Sequence, residues 1–188
     1  MDATMDQLCP DDLLAEAIAL AGENEAAAIA RIDALIAAHP DDPRLHFLGG
    51  SLLAAQARYA EAREAMARSI EIAPDYAIAR FQLGLLELSS GDAAASDATL
   101  APLAEAESED ALVLFARGLR HLARDELGSA AGLLREGMRV NRDHPLISRD
   151  MQLIVDRIEQ GGEAGEPAEE MSAAQMLLKQ HAAKSTKH

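Results

Sequence analysis

The sequence predicts an all-helical fold built from repeated units, and three observations carry that reading. Hydrophobic residues fill 49% of the 188 positions while aromatics fill only 3%. Much of the apolar content is therefore Ala and Leu, strong helix formers, rather than the β-branched and aromatic residues that favour strands. Prolines, glycines and small residues recur with a period of about 34 residues, a spacing in the range of helical repeats. Finally, the segment 111–122 carries two apolar faces, where an isolated surface helix needs only one.

The period shows in several registers. Pro40 and Pro74 each follow a helical pattern and stand one period apart. Gly50, Gly84 and Gly118 align, with Glu16 in the matching place one unit earlier. Ala28, Ala62 and Ala130 align with Ser96; Ile32, Met66, Leu100 and Leu134 form a further register, and Leu35, Ser69, Leu103 and Gly137 another. Gly and Ala allow two helices to cross closely, and Pro ends one helix ahead of the next. One helical pair cannot bury its apolar face alone, so neighbouring pairs must stack.

This pattern resembles the tetratricopeptide repeat. The clearest copy runs from Pro43 to Asp75, with Gly50, Tyr59, Ala62, Met66 and Pro74 at family positions, and the next turns at Gly91-Asp92. The resemblance implies a right-handed superhelix of antiparallel helix pairs over residues 1–160, with repeats at about 9–42, 43–76, 77–110 and 111–144. The chain departs from the family where a bulky aromatic belongs early in each first helix: Asp12, His46, Arg80 and Leu114 stand there. Ser108 replaces the closing proline of the third unit, and the fourth receives it late, as Pro145.

Residues 145–160 read as a capping helix, with Met151, Ile154, Val155 and Ile158 on one face and Arg149, Asp156, Arg157 and Glu159 elsewhere. Residues 161–170 read as an acidic flexible linker. The tail, 171–188, is expected to hold a short amphipathic helix whose stripe is Met171, Ala174, Leu177 and Leu178.

Charge narrows the partners. The formal net charge is −15, yet all three lysines (Lys179, Lys184, Lys187) lie in the acid-free tail. Residues 1–170 hold 14 Arg against 32 acids, so a −18 body precedes a +3 tail. An acidic body argues against nucleic acid or an anionic membrane surface. No apolar stretch reaches membrane-spanning length and no secretory signal is visible, so a cytoplasmic protein without membrane insertion is expected. The preference for Ala, and for Arg over Lys, points to a GC-rich bacterial genome.

Chemistry-bearing patterns are sparse. Cys9 is the one cysteine, and none of His39, His46, His121, His144, His181 and His188 pairs with another at i, i+4. No cysteine-rich zinc cluster can form, no Gly-rich phosphate loop is present, and no cofactor is expected. His121 reads as a hydrogen-bonded packing histidine in a core-facing register, and the many acids as solvated helix faces. The chain is expected not to be an enzyme.

The family resemblance implies instead a concave surface lined by the first helix of each unit. The inward positions are Leu13, Ala17 and Leu20; Phe47, Ser51 and Ala54; Ile78, Phe81, Leu85 and Leu88; and Leu112, Phe115, Leu119 and Leu122. The branch of the family that clamps a partner's terminal carboxylate uses Lys, Arg and Asn there, and these positions are nearly all apolar. The expected partner is thus a protein or peptide offering a helical or extended hydrophobic segment, with Phe47, Phe81 and Phe115 as anchors. The tail is an expected plug for this groove, in its own chain or by self-association with a neighbour. A chaperone for a hydrophobic client, similar to the tetratricopeptide chaperones of type III secretion translocators, is the alternative.

Overall fold

The computed structural model describes residues 8–161. Among them are nine helices and no strand: α1 (Asp11–Glu23), α2 (Glu25–Ala38), α3 (Pro43–Ala55), α4 (Tyr59–Ile72), α5 (Ala77–Ser89), α6 (Ala93–Ala104), α7 (Ala111–Ala123), α8 (Leu127–Val140) and α9 (Pro145–Gly161). The all-α class expected from composition is what the described residues adopt. The linker beyond Gly161 and the tail, with Met171, Ala174, Leu177 and Leu178, lie outside the described residues. No described helix is long and apolar enough to cross a membrane.

The repeat period is written in the helix starts. α3, α5, α7 and α9 begin at Pro43, Ala77, Ala111 and Pro145; α2, α4, α6 and α8 begin at Glu25, Tyr59, Ala93 and Leu127. The turns within pairs repeat as well. Ala57, Gly91 and Asp125 hold the left-handed conformation, with φ of 59°, 89° and 58°. Gly adopts that conformation freely, whereas a side chain there costs about 1 kcal/mol. The first pair departs from the scheme: α1 runs on to Glu23, and Asn24 alone joins it to α2. The Asn24 side chain accepts the Ala27 N–H at 3.0 Å and so caps the new helix.

The chain divides into two compact units, Met1–Arg80 and Phe81–His188, with the division inside α5. In the first, Cys9, Ala17, Ile32, Leu35 and Leu45 form a core against which Leu13, Leu14, Ile36, Leu48 and Leu52 pack. α3 lies close on α4, because a Cβ at Gly50 would stand 2.7 Å from Met66 Cγ. Ser69, fully buried on α4, donates its hydroxyl to the Pro43 carbonyl at 2.7 Å.

The second unit repeats the device. A Cβ at Gly84 would stand 2.4 Å from Leu100 Cγ, and one at Gly118 would stand 2.7 Å from Leu134 Cδ2. Each partner lies as far downstream of its glycine as Met66 does of Gly50. Pro102 lies inside α6, which ends two residues later at Ala104. Arg117 of α7 supplies donors beyond that end, bonding the carbonyls of Ala104 at 2.8 Å and Ala106 at 2.9 Å. Arg120 and Arg124 both hold Asp97 of α6 at 2.8 Å. α9 buries Ile147, Met151, Ile154, Val155 and Ile158. His121 is half-exposed rather than core, and its Nδ1 pairs with the Glu126 carboxylate across the tight turn.

These contacts set opposite expectations for chemically identical substitutions. Gly84→Ala should destabilise by about 1–3 kcal/mol, the usual cost of overpacking. Gly132→Ala, at an α8 position with nothing within 4 Å, should stabilise by about 0.5–1 kcal/mol through helix propensity. Urea unfolding of the two variants measures both signs.

Candidate partner-binding surface

The inward register splits into two groups. Phe81, Leu88, Phe115, Leu119 and Leu122 are fully buried, so the structure places them in the core and not on an open groove. The reason is local. Gly137 of α8 leaves a slot into which the Phe115 ring sinks, since a Cβ there would stand 2.5 Å from Phe115 Cε1. Phe81 then tilts against Phe115 with ring centroids 6.0 Å apart. Two of the three expected aromatic anchors therefore stabilise the fold.

Leu13, Leu20, Phe47, Ser51 and Ile78 of the first unit, and Leu85 and Leu112 of the second, keep part of their surface. Ala17 is fully buried and Ala54 is half-buried. Ser51 spends its hydroxyl on the Phe47 carbonyl one turn back, at 2.9 Å, so it offers a partner no free donor.

Phe47 has a setting that Phe81 and Phe115 lack. Its ring meets Tyr76 edge-on with centroids 5.5 Å apart. Where Gly137 makes room for Phe115, the same register on α4 holds Ser69, tied to Pro43, and Phe47 stays at the surface. Next to it, a cleft of about 330 Å³ opens between the start of α3 and the turn from α4 to α5. Pro43, Arg44, Ala73, Pro74, Asp75 and Tyr76 line it. Pro43 and Phe47 are one helical turn apart and share a face of α3. Burial, above all, pushes the Tyr76 phenol above its ordinary range, and the Asp75 carboxylate is exposed at the rim.

The cleft wall at Arg44 is held by a network that the sequence reading did not single out. Asp42 is fully buried. It caps α3 by accepting the Arg44 N–H at 2.9 Å, and it also accepts the Cys9 N–H at 2.8 Å. The Arg44 guanidinium returns to Asp42 at 2.8 Å and reaches Asp11 and the Cys9 carbonyl, both at 2.7 Å. One carboxylate thus ties the start of α1 to the start of α3. Burial alone would raise the Asp42 pKa, but the guanidinium and the two N–H donors outweigh it and hold the carboxyl below its ordinary range. Burial, then the Asp42 charge, push the Cys9 thiol above its ordinary range. The visible signal was Asp42-Pro43-Arg44, an N-cap residue followed by a first-turn proline. Among the described residues no group of three or more His, Cys, Asp or Glu is arranged to hold a metal ion.

Asp42→Asn should destabilise the chain by about 2–3 kcal/mol, less than for a fully buried pair because the Arg44 side chain is 29% exposed. Since the folded pKa lies below the unfolded one, this contribution is complete above the unfolded value, near about pH 4, and fades as pH falls further. Unfolding free energies measured downward from pH 6 should decline less steeply in Asp42→Asn than in the parent.

No protein-family model and no curated protein matches the chain. Solved structures do. MamA from Desulfovibrio magneticus RS-1, residues 41 to the end, superposes with a TM-score of 0.60 at 12% identity, covering 94% of this chain and 93% of that one. The ArsTM double mutant of the RS-1 protein gives 0.60 at 12% identity over 94% and 92%. At this identity the likeness is one of fold, an all-helical architecture of the tetratricopeptide type.

Proposed function

We propose that this chain is a non-catalytic protein-interaction module, an adaptor or scaffold that takes a helical or extended hydrophobic segment of a partner. The observation that carries the reading is Phe47, half-buried and edge-on to Tyr76, beside the cleft of about 330 Å³ that Pro43 and Pro74 help to line. Such a cleft suits one bulky apolar side chain. Asp75 at its rim favours a basic residue next to that anchor, where opposite charge steers association. Leu13, Leu20, Ser51 and Ile78 extend the surface along the first unit; Leu85 and Leu112 offer the equivalent positions in the second. The basic tail offers an apolar stripe and lysines, and in this reading it gates the last of the first-helix faces until a partner displaces it.

A chaperone for a hydrophobic client is the second reading. It is favoured by the half-buried apolar positions on α1, α3 and the start of α5 within the first unit, which can hold an extended client without one deep pocket. A chaperone keeps an aggregation-prone client soluble on co-expression; an adaptor binds a partner that is already folded.

The test begins with quantitative capture from source-cell lysate by the full chain, followed by titration with the purified partner. Phe47→Glu should weaken binding at least tenfold while the unfolding midpoint stays near that of the parent. Phe81→Glu should instead cost about 4 kcal/mol or more, as a charge forced into the core does. Undiminished affinity in Phe47→Glu would overturn the assignment of this surface.

A further inference from the structure

α9 ends the described chain with an apolar pair on its open side. The described residues leave four large apolar side chains exposed, Ile18, Tyr59, Leu146 and Leu153, and two of them lie on this helix. Leu146 is 74% exposed and Leu153 is 47% exposed. They are seven residues apart, so they share one face about 10 Å along the axis. They also stand one repeat period after Leu112 and Leu119, so α9 repeats the inward register of α7. In α7 the second of these is buried; in α9 both stay open.

We propose that the chain's own tail docks on this face, with residues 171–180 running antiparallel to α9. The proposal rests on reading the first-helix faces as binding surfaces, and it names what regulates the last of them. Three features select the occupant. Met171 and Leu178 are seven residues apart, the spacing of Leu153 and Leu146, so an antiparallel helix brings Met171 to Leu153 and Leu178 to Leu146. The tether is long enough. The path from Gly161 back to the level of Leu153 is about 12 Å along the axis plus about 9 Å between axes. Residues 162–170 span up to about 30 Å. Charge agrees as well: Lys179 follows Leu178 and comes beside Asp143, which is exposed just before α9. Arg142 and Arg149 are the opposing like charges, and Arg149 falls opposite the uncharged Gln175.

Area argues for a tethered segment over a second copy. Two leucines and their surroundings fall far short of the roughly 800 Å² per partner that a stable dimer needs. A segment joined by nine residues is presented at an effective concentration in the millimolar range and needs much less.

Hydrogen exchange on the full chain tests this. In the parent, the amides of residues 171–180 should exchange at least tenfold more slowly than in an unstructured chain, independently of protein concentration. Leu153→Glu, at a surface position, and Leu178→Glu, in the tail, should each return them to the unstructured rate. An unstructured rate in the parent overturns the proposal, as does protection that survives Leu146→Glu with Leu153→Glu. Protection that grows with protein concentration also overturns it and assigns the tail to a second copy. The Phe47 titration is read separately, so failure of tail docking and failure of the binding surface are told apart.

Discussion

The pairs α3–α4, α5–α6 and α7–α8 depend on how closely their two helices can approach. Gly50, Gly84 and Gly118 each sit where a Cβ would stand 2.4–2.7 Å from a side chain of the pair's second helix, Met66, Leu100 or Leu134. No residue with a side chain fits without displacing that neighbour. The glycine therefore sets the crossing distance, and the Leu or Met of the second helix fills the space left. The exception in the first pair supports the rule. Glu16 occupies the glycine position, remains exposed and bonds Arg31 at 3.1 Å. Its expected partner Ile32 turns to Gly49 of α3, where a Cβ would be in ordinary contact at 3.4 Å.

Close pairing decides what is left for function. With the pairs tightly crossed, apolar residues beyond the interlock either fall into slots on the neighbouring helix or stay at the surface. For Phe47 and Phe115 the register of Ser69 and Gly137 makes that choice; Phe81, with Leu103 at that register, is buried against Phe115 instead. A glycine admits Phe115 to the core, while a serine bonded to Pro43 leaves Phe47 outside. The same period that builds the scaffold so leaves one of the three phenylalanines at the surface, and the cleft beside it follows from the proline-bounded turn between α4 and α5. The Asp42 network holds the opposite wall, which makes the geometry of the cleft depend on a buried carboxylate and not on apolar packing alone.

Much of the fold was legible in the sequence. Pro43, Ala77, Ala111 and Pro145 start helices where the repeat period places them, and the apolar face of α9 is the one its pattern indicates. The glycine registers were legible because glycine has one structural meaning in a helix interior, close approach. The surface was less legible. Periodicity tells which face of a helix is apolar; it does not tell whether that face meets solvent or a slot on a second helix. Gly137 was visible in its register, and reading it as room for a ring would have placed Phe115 inside. The turns at Ala57 and Asp125 are not legible because neither residue type announces a left-handed turn, whereas Gly91 between them does. The Cys9–Asp42–Arg44 network joins α3 to residues a full repeat earlier in the chain, which no local pattern reveals.

The interlock between each glycine and its downstream partner can be measured by a double-mutant cycle at Gly118 and Leu134. Gly118→Ala alone should destabilise, because its Cβ meets Leu134. In a Leu134→Ala background that collision is gone, so the same substitution should become neutral or stabilising by helix propensity. A coupling of at least about 1 kcal/mol, with this reversal, is the expected result. Equal costs of Gly118→Ala in both backgrounds would mean that Gly118 and Leu134 do not interlock.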